Sequence, residues 1–151
     1  MKNVKYSCMK DWVFFFVGLA ITALFLIFST QIFELMYYQT EFSNEMYNQN
    51  LYFVCAVRTC LVCWGAVILY YWIIDYFSRW YHWLLFFVGA MLLAPAVTIF
   101  YMESIFTEMN LDMEAQCQNF SIVIEFVTIV LFLLNSFCVK NLSSHCSTTP
   151  F

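Results

Sequence analysis

Glu34, Arg58 and Glu125 are ionisable, yet each lies inside a long apolar run. A charge in hydrocarbon is costly, so such residues pair with one another, line a polar path, or meet a group on another protein. An arginine with two carboxylates could hold an ion, or keep one carboxyl protonated and exchange its proton. The same three side chains could instead pin helices, or serve as a polar key for a helix of another subunit. Sulfur offers a second chemistry. The chain has seven cysteines, and Cys60-Leu61-Val62-Cys63 is a CxxC, the spacing of thiol pairs that trade a disulfide. Cysteine is also an ordinary small residue of helix seams, which reads Cys60 and Cys63 as packing. Cys55 and Cys117 fall at or near one membrane surface, where an oxidising compartment would let them form a disulfide.

Four apolar stretches position these groups, at about residues 12–37, 51–74, 82–102 and 119–139, and each is long enough to cross a bilayer. The composition agrees: 64% hydrophobic and 11% charged, against roughly 45–50% and 25% in soluble domains. A soluble globular domain is excluded. Short connections leave no segment able to bury its own core, so residues 1–151 read as one transmembrane domain with tails 1–11 and 140–151. The basic start Lys2, Lys5, Lys10 resembles a signal peptide. Its apolar run from Trp12 is too long and lacks a small-x-small cleavage site, so an uncleaved anchor is expected.

Orientation follows from the basic residues. Three precede the first span, Arg79 lies between the second and third, and Lys140 follows the last. The positive-inside rule then predicts an all-α, four-transmembrane-helix bundle with both termini cytoplasmic. Segments 38–50 and 103–118 are then outside, carrying Glu41, Glu45, Glu103, Glu108, Asp112 and Glu114 without a basic counterweight. Such an acidic rim is what remains once Lys and Arg are kept out of translocated loops, and it could also steer cations. Trp72, Tyr76, Trp80, Tyr81 and Trp83 read as interfacial anchors around the inner turn. Heavy Phe, Tyr, Ile and Asn usage leans toward an AT-rich genome and a bacterial inner (plasma) membrane.

Small residues at helical spacing predict the buried seams: Gly18 and Thr22 in span one, Cys55, Thr59 and Cys63 in span two, Gly89, Ala90 and Ala94 in span three. Span two, small around much of its circumference, is expected at the centre. Pro95 should kink span three, with Thr98 covering the freed carbonyl. Counting about 1.5 Å per residue from the outer boundary puts Arg58 and Glu125 each about 10 Å deep and Glu34 about 5 Å deep. Thr98 falls in the same layer, and depth makes Glu125 the first expected partner of Arg58.

Four spans, cytoplasmic termini, a CxxC early in span two and a cysteine-bearing loop between spans three and four together resemble the quinone-linked thiol oxidoreductases of the DsbB family. That resemblance implies Cys60 and Cys63 as the pair passing electrons to a quinone, with Cys117 exchanging with a soluble thiol protein. The chain departs from the family pattern in having Cys117 alone in its second outer loop and no basic residue shortly after the CxxC. No nucleotide loop, nucleophile and base pair, phosphate cradle or metal ligand set is found, and Cys8, Cys138, His145 and Cys146 match no zinc spacing. No cofactor, metal or nucleic-acid partner is expected. The leading expectation is a non-enzymatic subunit, embedded in lipid, that assembles with other membrane proteins or copies of itself. An anchor in an envelope-spanning secretion machine is one example. A small transporter or channel subunit built on the Glu/Arg cluster comes second, and the thiol oxidoreductase third.

Overall fold

In a computed structural model of the protein, the backbone is described for residues 2–73 and 80–140, and side chains for 12–72 and 80–140. The described residues are all-helical. The turn with Asp75 and Arg79, the side chain of Cys8, and the tail with His145 and Cys146 lie outside them.

Helix α1 (Lys2–Ile27) does not continue to residue 37 as its apolar run predicts. The chain breaks at Phe28 and resumes as α2 (Ser29–Met36), inclined by 69° to the Trp12–Ile27 stretch. Neither proline nor glycine marks the break. Its local signature is Ser29, whose hydroxyl donates to the Leu26 carbonyl at 2.9 Å, a side-chain bond that competes with the backbone ladder and bends helices. Tyr37 and Gln39 are extended, and α3 (Thr40–Asn48) follows.

Asn50, in left-handed conformation at φ 54°, turns the chain into α4 (Leu51–Ile68), which runs on into a π-helical turn at Leu69–Ile73. Asparagine tolerates this region better than other residues with a β-carbon. Asn110, also at φ 54°, closes α5 (Trp80–Glu108). There the Leu111 amide donates to Phe106 O and the Asn110 amide to Thr107 O, the paired bonds that satisfy the last carbonyls of a helix. Helix α6 (Glu114–Val139) completes the chain. It begins earlier than the predicted span, as α5 ends later.

Three helical stretches, Leu51–Trp72, Trp80–Glu108 and Glu114–Val139, are long and apolar enough to cross a membrane, and the bent α1–α2 pair makes a fourth if counted as one span. This suits an integral membrane protein. The centre is α6 rather than the second span: α6 packs against α1, α4 and α5, and 56% of its apolar stretch is buried, against 44% for α4 and 22% for α5. The cause is its inward line Cys117, Phe120, Ile124, Val127, Leu131, Asn135, Cys138, all buried at steps of three or four. Pro95 is accommodated without a break inside α5. Thr98 donates to the carbonyl of Ala94, whereas the carbonyl that Pro95 leaves without an amide belongs to Met91, four residues earlier.

Aromatic rings tie the short helices down. Phe33 of α2, Phe42 of α3 and Tyr52 of α4 all pack around Phe120 of α6, with ring centroids 5.2, 5.6 and 6.0 Å away. This cluster closes the α3 end of the bundle and keeps α2 folded against α4.

Candidate functional site

The bundle has its own internal ruler. Cys63 Sγ donates to Thr128 O at 3.7 Å, and the Tyr71 and Ser136 hydroxyls meet at 2.8 Å, both pairs 65 residues apart. Helices α4 and α6 therefore run in the same direction with an offset of 65. Arg58 is level with Val123, and Glu125 is two residues, about 3 Å, further along. Arg58 and Glu125 therefore stand at nearly one level along the bundle.

The two do not form an ion pair. The Arg58 guanidinium carbon sits 3.8 Å from the ring centroid of Tyr101 on α5, a cation–π contact rather than a salt bridge. Among the described residues no carboxylate pairs with it. Arg58 is half-buried and turned toward α5, while Glu125 is half-buried on α6 between the exposed Ile122 and Phe126. Glu34, carried off-axis by the break at Phe28, lies half-buried within electrostatic reach of the Tyr52 hydroxyl. Thr98 is fully buried and spends its hydroxyl on its own helix. These four residues share a layer of the sequence count but make no contact site with one another.

A polar layer that sequence reasoning missed lies nearer the other end. Trp64 Nε1 donates to Thr22 Oγ1 at 3.1 Å, and Thr22 in turn donates to Gly18 O at 2.9 Å with Asn135 Oδ1 at 3.5 Å. Beside it, Ser136 Oγ accepts from Trp83 Nε1 and meets the Tyr71 hydroxyl, each at 2.8 Å. The π-helical turn presents Tyr71 to this contact. Together these bonds tie α1, α4, α5 and α6 to one another. The available signal was Asn135-Ser136 standing together on the inward phase of α6, with Thr22 as a second small polar residue. Trp83 gave a misleading one, because it also suits a membrane interface.

The cysteines sit in seams. Cys60 and Cys63 are buried free thiols, and Cys63 is occupied with the Thr128 carbonyl. Cys55 of α4 and Cys117 of α6 are free and buried. Among the described residues, no group of three or more His, Cys, Asp or Glu is arranged to hold a metal ion. Beyond the α3 end, Glu103, Asp112 and Glu114 border an open cleft of about 350 Å³ floored by Phe106, Met113 and Cys117.

No family model, curated protein or solved structure matches this chain.

Proposed function

We propose that this chain is a non-enzymatic, tetraspanning membrane subunit that works by assembling with other membrane-protein subunits or with copies of itself. Its termini face the cytoplasm in this reading, and the envelope-spanning machines of a bacterial inner membrane are the kind of complex it suits. Arg58 is the observation that carries the proposal. A half-buried guanidinium within an apolar span has only an aromatic ring against it among the described residues, and a cation so placed is stabilised when a neighbouring helix brings an acceptor. Native mass spectrometry from mild detergent tests the proposal. Further subunits should accompany the chain, and a lone copy under every condition overturns it.

The break in the first span favours a second reading, a small transporter or channel subunit, because discontinuous helices carrying a charged residue on one half are a feature of transport sites. Glu34 is on that half. In proteoliposomes, Glu34→Gln and Glu125→Gln would then abolish proton-coupled flux while leaving the assembly intact.

A further inference from the structure

Two half-buried charges of opposite sign lie at nearly one height on different flanks of this bundle, neither with an ionic partner among the described residues. Arg58 borders a lateral furrow between α4 and α5. Its part near Arg58 is an open cleft of about 470 Å³ lined by Val57, Leu61, Val62 and Val97. Leu61 and Val62 also line the next cleft, of about 410 Å³, where Gly65, Ala66, Gly89 and Ala90 form the walls. The two clefts are therefore continuous. A β-carbon added at Gly65 or Gly89 would meet nothing within 4 Å, so the furrow is empty down to the backbone.

Glu125 borders a ridge. Ile122, Phe126, Val130, Leu133 and Phe137 are exposed along one face of α6 at steps of three and four. By the offset of 65, this ridge covers the levels of residues 57–72 of α4, and the furrow lining covers 53–69. Ridge and furrow thus occupy overlapping heights, the ridge is bulky where the furrow is narrow-walled, and the charges fall about 3 Å apart in height.

We infer that the ridge of α6 in one copy docks in the α4–α5 furrow of a second copy, pairing Glu125 of the first with Arg58 of the second. This deepens the assembly reading above and rests on it. Copies inserted in one orientation keep their levels, so the charges meet when two different faces of the same molecule are brought together. A second copy is the favoured occupant because that single contact, repeated, gives both charges a partner. A foreign helix or an anionic lipid headgroup satisfies Arg58 and leaves Glu125 as it was. Since the two faces differ, the contact is head-to-tail and generates a ring or an open row rather than a two-fold dimer.

Charge reversal tests the pairing. Two tagged versions are coexpressed, and capture of one by the other is measured after extraction in mild detergent, with thermal unfolding of each variant followed by circular dichroism. Wild type should capture wild type. Arg58→Glu should capture its own kind at least tenfold less, as should Glu125→Arg, while Arg58→Glu and Glu125→Arg capture each other, because every contact between unlike copies is again complementary. If a reversed variant does not fold, Arg58→Gln and Glu125→Gln replace it, and each should weaken self-capture. Unchanged capture in the variants, or a mixed pair no better than either alone, overturns the inference. Wild type that captures a different membrane protein but not itself overturns it while leaving the proposed function standing. Wild type that captures nothing sinks both.

Discussion

The layer around Ser136 and the layer around Arg58 lie on one bundle, separated along α4 by the thirteen residues from Arg58 to Tyr71, about 20 Å. In the Ser136 layer, hydroxyls, indoles and a backbone carbonyl meet within 2.8 to 3.1 Å and link α1, α4, α5 and α6. In the Arg58 layer, charged groups of both signs lie within about 3 Å in height and make no ion pair. The contrast separates two uses of polarity in an apolar protein. Neutral groups that face inward hold the chain together, whereas charged groups placed on the flanks leave a demand that only another molecule meets. One layer should therefore govern the stability of the single copy, and the other its association.

Substitutions at the two layers should differ in size as well as in kind of effect. Gly18→Val is the most severe, since any β-carbon at Gly18 would lie 2.9 Å from Cys138 Cβ and must push α1 off α6 beside the Asn135 contact. Overpacking of this kind costs about 3 kcal/mol, read as a lowered midpoint of unfolding in detergent. Ser136→Ala comes next. It removes the contacts of Ser136 Oγ with the Trp83 indole and the Tyr71 hydroxyl, and at about 1 kcal/mol for each bond it should lower stability by about 2 kcal/mol without altering self-capture. A loss of capture at unchanged stability would overturn the division.

Replacing Cys60 and Cys63 together by Ala should cost about 1 kcal/mol, from small lost volume and the weak Cys63 bond, and should leave thiol oxidation in the cell unchanged. A defect in disulfide formation would instead support the oxidoreductase reading. Arg58→Gln removes only the contact with Tyr101, so the single copy should unfold within about 1 kcal/mol of wild type, while self-capture falls. The smallest effect belongs to Gly65→Ala and Gly89→Ala. Both sites are open, so each should raise single-copy stability by about 0.5 kcal/mol through helix propensity, yet the pair should weaken capture by narrowing the furrow. Gly18 against these two is the sharpest internal control, three glycines in apolar helices of which one is filled from outside and two are not.

How far the site was legible depended on which coordinate was needed. The apolar runs, their lengths and the presence of three charged residues within them are local properties, and the last three runs appear as helices with ends moved by several residues, whereas the first is divided at Phe28. The height of a residue in its span is nearly local too, which is why counting placed Arg58 and Glu125 at one level. Its direction around the helix axis is not. Arg58 turns to Tyr101 because α5 occupies that side of α4, and Glu125 is left only half-buried because the buried line of α6 runs through Ile124 and Val127 beside it. The break at Phe28 was also hidden, since a serine after an apolar run is a weak signal and the rings of Phe33, Phe42, Tyr52 and Phe120 fix α2 only after α3, α4 and α6 are in place.

By itself, then, the sequence determined that this chain is helical, apolar and suited to a bilayer, and that charges stand inside its spans, because hydropathy and helical rise act residue by residue. Only the tertiary structure decided which polar groups satisfy one another and which are left on the flanks. That outcome depends on the azimuth at which each helix meets its neighbours, and azimuth is set by the packing of all the spans together.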